Sequence, residues 1–231
     1  MKLFYDFHIH SALSPCADDD MTPNNIINMA SLKGLDIIAI TDHNSILNLD
    51  AFDQVAKDKN ILFIPGIEIQ TIEDIHVICL FENLDSIKSF YDDIKVLYAK
   101  YPHNQNKFGN QLIINERDEI ISNYDNSLLF SINISLSDLN KKVVEYNGLF
   151  IPAHIDKPSY SIISQLGFIP DDINCDALEI KYLENAKKYS EKYRILFNSD
   201  AHRLKDISET INSINVEKHS IQSVFHSLRG N

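Results

Sequence analysis

The chain has 231 residues, 44% of them hydrophobic and 23% charged, which is close to ordinary soluble domains and argues against wholesale disorder. Lys and Arg number 21 against 33 Asp and Glu, a formal net charge of −12; with no basic footprint, no duplex nucleic acid is expected as a partner. No apolar run approaches the ~18 residues of a membrane helix and residues 1–6 hold no signal-peptide core, so a cytoplasmic chain with no membrane partner is expected.

Short apolar runs alternate with amphipathic stretches along the chain. Residues 3–7 read as a first strand, and Thr22 as N-cap, Pro23 at the first helical position and Gly34 as stop frame a helix. Residues 36–40, 61–69 and 76–81 read as further strands, mostly apolar on both faces as buried parallel strands are. Ile87, Tyr91, Ile94, Tyr98 and Tyr101 recur at helical spacing until Pro102. Residues 103–135 interrupt the rhythm, rich in Asn and Asp, with only 111–115 and 128–132 strand-like; a connection this long is a flap or small subdomain. Ser137 and Gly148 bracket another helix, strands follow at 149–153, 177–182 and 195–198, and Ile221, Val224, Phe225 and Leu228 mark a last helix. Strand and helix in alternation predict an α/β fold, and seven strands suit a distorted (β/α)7 barrel, TIM-like, with an inserted flap around 103–135, residues 1–231 forming one domain.

The six glycines are too scattered for GxxxxGK[ST] or GxGxxG, and Cys16, Cys79 and Cys175 form neither a CxxC zinc site nor a disulfide framework. Histidines and acids carry the signal instead. A random chain of this composition shows an HxH about 0.35 times and an acid directly before a histidine about 1.3 times, so neither motif alone decides anything. Position does. His8 and His10 follow the first strand, His43 the second, Glu68 ends the third, His154 closes the fifth, and Asp200 and His202 close the seventh. In parallel α/β barrels those ends share one face, so these five segments are expected to converge there. His8 and His10, two residues apart, present both imidazoles on one side of an extended segment, as Asp200 and His202 do a carboxylate and an imidazole. So many ligands exceed the roughly four that one zinc takes, which implies two or three divalent ions, Zn, Mn or Fe.

DFHIHS at residues 6–11, TDHN at 41–44, GIEI at 66–69, PAH at 152–154 and SDAH at 199–202, in this order, resemble the PHP family of metal-dependent phosphoesterases, the polymerase and histidinol phosphatase type. The resemblance implies that His8, His10, Glu68 and Asp200 hold one ion, Glu68, His76 and His154 a second, and His43 and His202 a third. The family's loop acid falls on Asp18, with Asp20 and Cys16 as substitutes. The expected reaction is hydrolysis of a phosphate ester by a metal-bound hydroxide, with His43, His202 and Asp200 as the catalytic groups and a small phosphomonoester, a nucleotide or a short oligonucleotide end as substrate. Lys157 and Arg203, just beyond His154 and His202, are expected to grip phosphate, and Asp42 to orient an imidazole from behind. Glu179 reads either as such an acid or as a paired strand residue. The alternatives are amidohydrolase-type C–N hydrolysis and a non-catalytic metal-binding regulatory module.

Overall fold

A computed structural model describes residues 1–230. A curled six-stranded sheet runs in the order β10 (Ser213–Asn215), β1 (Lys2–Ile9), β2 (Ile37–Ile40), β3 (Leu62–Gln70), β4 (His76–Leu80), β7 (Leu149–Pro152). β1, β2 and β3 are parallel, whereas β4 is antiparallel to both β3 and β7, and β10 is antiparallel to β1. β8 (Leu178–Glu179) and β9 (Ile195–Leu196) form a separate parallel pair. The expected α/β class holds. The described sheets do not make up a full seven-stranded parallel barrel, because only five residues separate β3 from β4 and a link that short returns the chain as a hairpin, while a parallel crossover needs a dozen residues or more. That reversal keeps the site together, since it starts β4 where β3 ends and pairs His76 with Gln70.

The central strands β2, β3, β4 and β7 divide their side chains between two apolar clusters. Leu3, Tyr5 and Phe7 of β1 pack with Ile64, Ile78, Ile151, Val224 and Phe225 on the concave side. Ile38, Ile40, Ile67, Ile69, Val77 and Phe150 pack outward against α1 (Pro23–Leu32), α2 (Leu49–Lys57), α3 (Leu84–Ile94) and α5 (Leu136–Glu145). Strict alternation would send Ile9 to the concave side with Phe7, yet it joins the outer cluster. The β1–β2 register shifts between Asp6 and Ile9, and a bulge of this kind re-aims the side chains beyond it, here His8 and His10. Gly66, two residues before Glu68, has no room for a Cβ, which would come within 2.7 Å of Thr41 and 2.8 Å of Leu80.

The helix ends follow simple rules with small shifts. Thr22 is extended with Pro23 next, but its side chain makes no capping bond. The helix expected from Ser137 is capped by Ser135, whose hydroxyl accepts from the Asp138 amide. The helical spacing through Tyr98 breaks after Ile94, where one 3-10 turn follows.

The 103–135 segment does have structure of its own: α4 (Gln105–Phe108) and a hairpin of β5 (Leu112–Ile114) with β6 (Ile120–Asn123). The strand expected at 128–132 is irregular chain. The Leu112 amide donates to the Ala12 carbonyl at 2.8 Å, and Asn48 bonds both Leu112 and Ile114, so the flap is sewn onto the loop after β1. Gly109, at φ +93°, passes so close to that loop that a Cβ would stand 2.1 Å from the Pro15 carbonyl oxygen. Gly109→Ala is expected to cost about 1–3 kcal/mol in chemical denaturation and to speed amide exchange at Leu112, because the flap must lift off the loop to make room.

Candidate metal centre

Glu68 lies at the centre of the cluster, 1% exposed, with neither carboxylate oxygen in a hydrogen bond. Around it converge His43 Nδ1 at 2.8 Å, His76 Nδ1 at 3.0 Å, His8 Nε2 at 3.3 Å, His154 Nε2 at 3.4 Å and His10 Nε2 at 3.6 Å. Asp200 Oδ1 stands 3.4 Å from His8 Nε2 and 3.3 Å from His10 Nε2, and the two Nε2 atoms are 3.1 Å apart.

Local backbone bonds place each group. The Glu68 amide donates to the Asp42 carbonyl and the Asn44 amide to the Glu68 carbonyl, setting His43 beside β3. The His10 amide donates to the Ala201 carbonyl at 2.9 Å and the Ala201 amide to the His8 carbonyl at 3.2 Å, docking the SDAH segment on the end of β1. Asp6, fully buried, accepts from the amides of Ser199 and Ser208 and clamps the same junction. His154 and Asp200 sit at φ +29° and +56°, left-handed backbone that costs a non-glycine residue on the order of 1–3 kcal/mol, and at both positions it serves to aim a side chain into the cluster.

Behind the cluster stands a layer of hydrogen bonds that the sequence reading largely missed. His8 Nδ1 donates to both Glu179 oxygens at 3.0 and 3.1 Å, and Glu179 also accepts from the His154 amide and from Asn198 Nδ2. His10 Nδ1 donates to Ser14 Oγ, which in turn donates to Asp42, itself held by the Ser11 amide and hydroxyl. Asp42 therefore acts on His10 through Ser14. With both Nδ1 atoms committed, the Nε2 atoms of His8 and His10 are left facing one another, Asp200 and Glu68.

Protonation follows from charge and burial. Burial opposes a charge on His8, but Glu179, Asp200 and Glu68 outweigh it and raise its pKa well above 6.5. His43 is raised likewise, with Glu68 overcoming burial. His10 goes the other way, lowered by burial and by neighbouring His202 and His43. Burial would raise Glu68, but His76, His8 and His43 hold it well below the carboxylate range.

Three groupings have ligand atoms within 4.8 Å of one another: His8, His10 and Asp200; His43, Glu68 and His76; and His10, His43 and His202. An unpartnered buried carboxylate among converging imidazole nitrogens fits divalent cations, which replace the missing hydrogen bonds and offset the desolvation. Of the expected residues, His8, His10, His43, Glu68, His76, His154, Asp200 and His202 are brought together. Asp18 is not: its carboxylate is half exposed and lies 3.5 Å from Arg203 Nε, so each occupies the other. Lys157 enters the site more deeply than its place beyond β7 suggested, its ammonium hydrogen-bonded to Asp200 Oδ2. Glu179 and Ser14 carry only a weak sequence signal, an acid ending an apolar strand and a serine after HxH.

A family model for the PHP domain matches residues 6–200. A 5'-3' exoribonuclease of Haemophilus influenzae is 34% identical over 67 residues, 29% of this chain and 23% of that protein. Endonuclease Q of Pyrococcus furiosus, a lesion-specific endonuclease, superposes on all of this chain and 56% of its own, at 20% identity and a TM-score of 0.74. A Bifidobacterium adolescentis protein proposed to be a metal-dependent phosphoesterase superposes on 98% of this chain and 96% of its own, at 16% identity and a TM-score of 0.60. The chain thus spans about a quarter of the exoribonuclease and just over half of endonuclease Q. The exclusion of duplex nucleic acid is overturned: endonuclease Q, similar to this chain in fold, has been solved in complex with a 27-mer duplex substrate bearing an abasic lesion at the active site. Net charge sums the whole surface, whereas a duplex meets only the local field around one mouth.

Two outcomes are expected. Glu179→Gln should weaken metal binding about 10–100-fold in chelator competition, the usual effect of losing the partner that orients a ligating imidazole. Metal affinity should also climb as pH rises through and beyond 6.5, because an incoming ion must displace the protons that His8 and His43 retain above that value; calorimetry in buffers of different ionisation enthalpy should register the released protons.

No helix among the described residues is long and apolar enough to cross a membrane.

Proposed function

The chain belongs to the PHP family, and from that premise we propose that it hydrolyses phosphoester bonds at the cluster around Glu68, with a nucleic-acid phosphodiester as its substrate class. The observation that carries the reading is the convergence of six imidazoles with Glu68 and Asp200 in one pocket, Glu68 lacking any hydrogen bond. His8, His10, Glu68 and Asp200 would hold one divalent ion, Glu68, His76 and His154 a second, and His43 with His202 a third. When bound, such ions supply positive charge for the phosphate oxygens and lower the pKa of water from 15.7 toward ~7.

The chain's own residues do the rest. Glu179 and Ser14 fix the two β1 imidazoles with Nε2 toward the pocket. His43, His202 and Asp200 are 13%, 28% and 12% exposed, so they form the side of the cluster that a substrate reaches. Lys157, beside Asp200, can turn its ammonium to a phosphate oxygen, and Arg203 offers a second cation at the rim once released from Asp18.

Small phosphomonoesters and nucleotides would fit the same chemistry. Nucleic acid is favoured because two of the relatives, the exoribonuclease and endonuclease Q, both cut nucleic-acid strands. Manganese- or zinc-loaded protein should be assayed on a small aryl phosphomonoester, single-stranded RNA and DNA, and duplex DNA with an abasic site. Strand cleavage is expected, reduced at least ~100-fold by chelation or by Glu68→Gln. Undiminished turnover after chelation would refute metal dependence, and turnover of the monoester alone would refute the substrate class.

A further inference from the structure

An aromatic ring that the hydrolytic chemistry does not use stands at the edge of the cluster. Tyr160 stacks on His76, with ring centroids 4.8 Å apart and planes 21° apart, and among the described residues it is the one tyrosine or phenylalanine ring set against an imidazole of the cluster. His76 Nδ1 lies 3.0 Å from Glu68, so the tyrosine is one ring away from the groups that would hold metal. Covered on one face by His76, Tyr160 is still 46% exposed, and it belongs to neither apolar cluster. Its backbone lies at φ +54°, a left-handed conformation that glycine adopts freely and that strains a bulky residue. Hydrogen bonds hold it there: the Tyr160 carbonyl accepts from the His76 amide at 2.9 Å, and the neighbouring Ser161 caps α6 (Ile162–Leu166) and donates from its hydroxyl to the Lys157 carbonyl. Asp156, in the same loop, accepts from the amides of Lys181 and Tyr182. One braced loop, residues 154–160, thus carries an imidazole of the cluster, the Lys157 ammonium bonded to Asp200, and a half-exposed ring.

We propose that Tyr160 is a base-stacking platform, which receives the nucleobase of the nucleotide whose phosphate sits at the cluster and Lys157. The inference rests on the phosphodiester reading above and adds how that substrate is held. A ring face beside a cationic phosphate site matches a nucleotide, in which one sugar joins a phosphate to an aromatic base. Stacking of this kind is tolerant of sequence, because every base has a π-face. It requires a base with a free face, as at a strand end, in a single strand or displaced from a duplex. A platform of this sort grips a strand through its bases, so it needs no basic stripe on a chain whose net charge is −12.

The chain has no tryptophan, so Tyr160→Trp places a single fluorescent reporter at the platform. In metal-loaded protein adenosine monophosphate should quench its emission, whereas ribose phosphate, which carries the same phosphate and no base, should not. Turnover is then compared on two forms of the strand that the protein cleaves, one complete and one with the bases removed from the residues on either side of the cut bond. Wild-type kcat/KM should favour the complete strand about 10–100-fold, the range expected of one stacked base. Tyr160→Phe should keep this ratio, Tyr160→Leu, of similar bulk and without a π-face, should collapse it toward one, and Tyr101→Leu, at another exposed ring, should leave it as in the wild type. Quenching by both ligands or by neither, a wild-type ratio near one, or a Tyr160→Leu ratio equal to that of the wild type would each overturn the platform while strand cleavage stands. Cleavage of neither form would overturn the phosphodiester reading, and this inference with it.

Discussion

A carboxylate at 1% exposure with no hydrogen bond is among the most costly groups a protein interior can hold, and Glu68 occupies that position at the end of a central strand. Attraction from the surrounding imidazoles offsets part of the desolvation and keeps the acid ionised. That ring of charge is a constraint on the whole fold. β1, β2, β4 and β7 must all end or begin at the same level as β3, the bulge in β1 must turn His8 and His10 inward, and left-handed backbone is tolerated at His154 and Asp200.

The second consequence is rigidity. Imidazoles that faced only one another and two acids would have several rotamers and tautomers of similar energy. Glu179 removes that freedom from His8, and the Ser14–Asp42 pair removes it from His10. Glu179 is in turn fixed by Asn198, whose other end accepts from the Phe7 amide, so β1, β8 and the segment after β9 are joined through one polar chain. A fully satisfied network of this kind defines a single arrangement of ligands, the condition for a site that captures cations without reorganising.

The chain also separates global from local charge. Its net charge of −12 would repel a polyanion at a distance, yet bound divalent ions, Lys157 and Arg203 together would make the mouth a place where phosphate is attracted. The argument from acidity to partner fails at this point, because attraction depends on the few groups within a Debye length of about 8 Å and not on the sum over the surface.

The amino-acid sequence by itself marked out the histidines and acids that gather around Glu68. Histidines and acids at the ends of apolar runs were legible because period and position along a strand are local properties, and HxH places two imidazoles together by backbone geometry alone. It determined the α/β class for the same reason. Only the tertiary structure decided which neighbours those groups meet. The antiparallel return of β4, the two-strand unit of β8 and β9, and the hairpin within the flap depend on pairings between distant segments that hydropathy does not encode. The outward turn of Asp18 is the sharpest case. Its amide is held by the His202 carbonyl, from across the fold, while the Arg203 side chain draws its carboxylate outward, and neither contact is a local property of the loop.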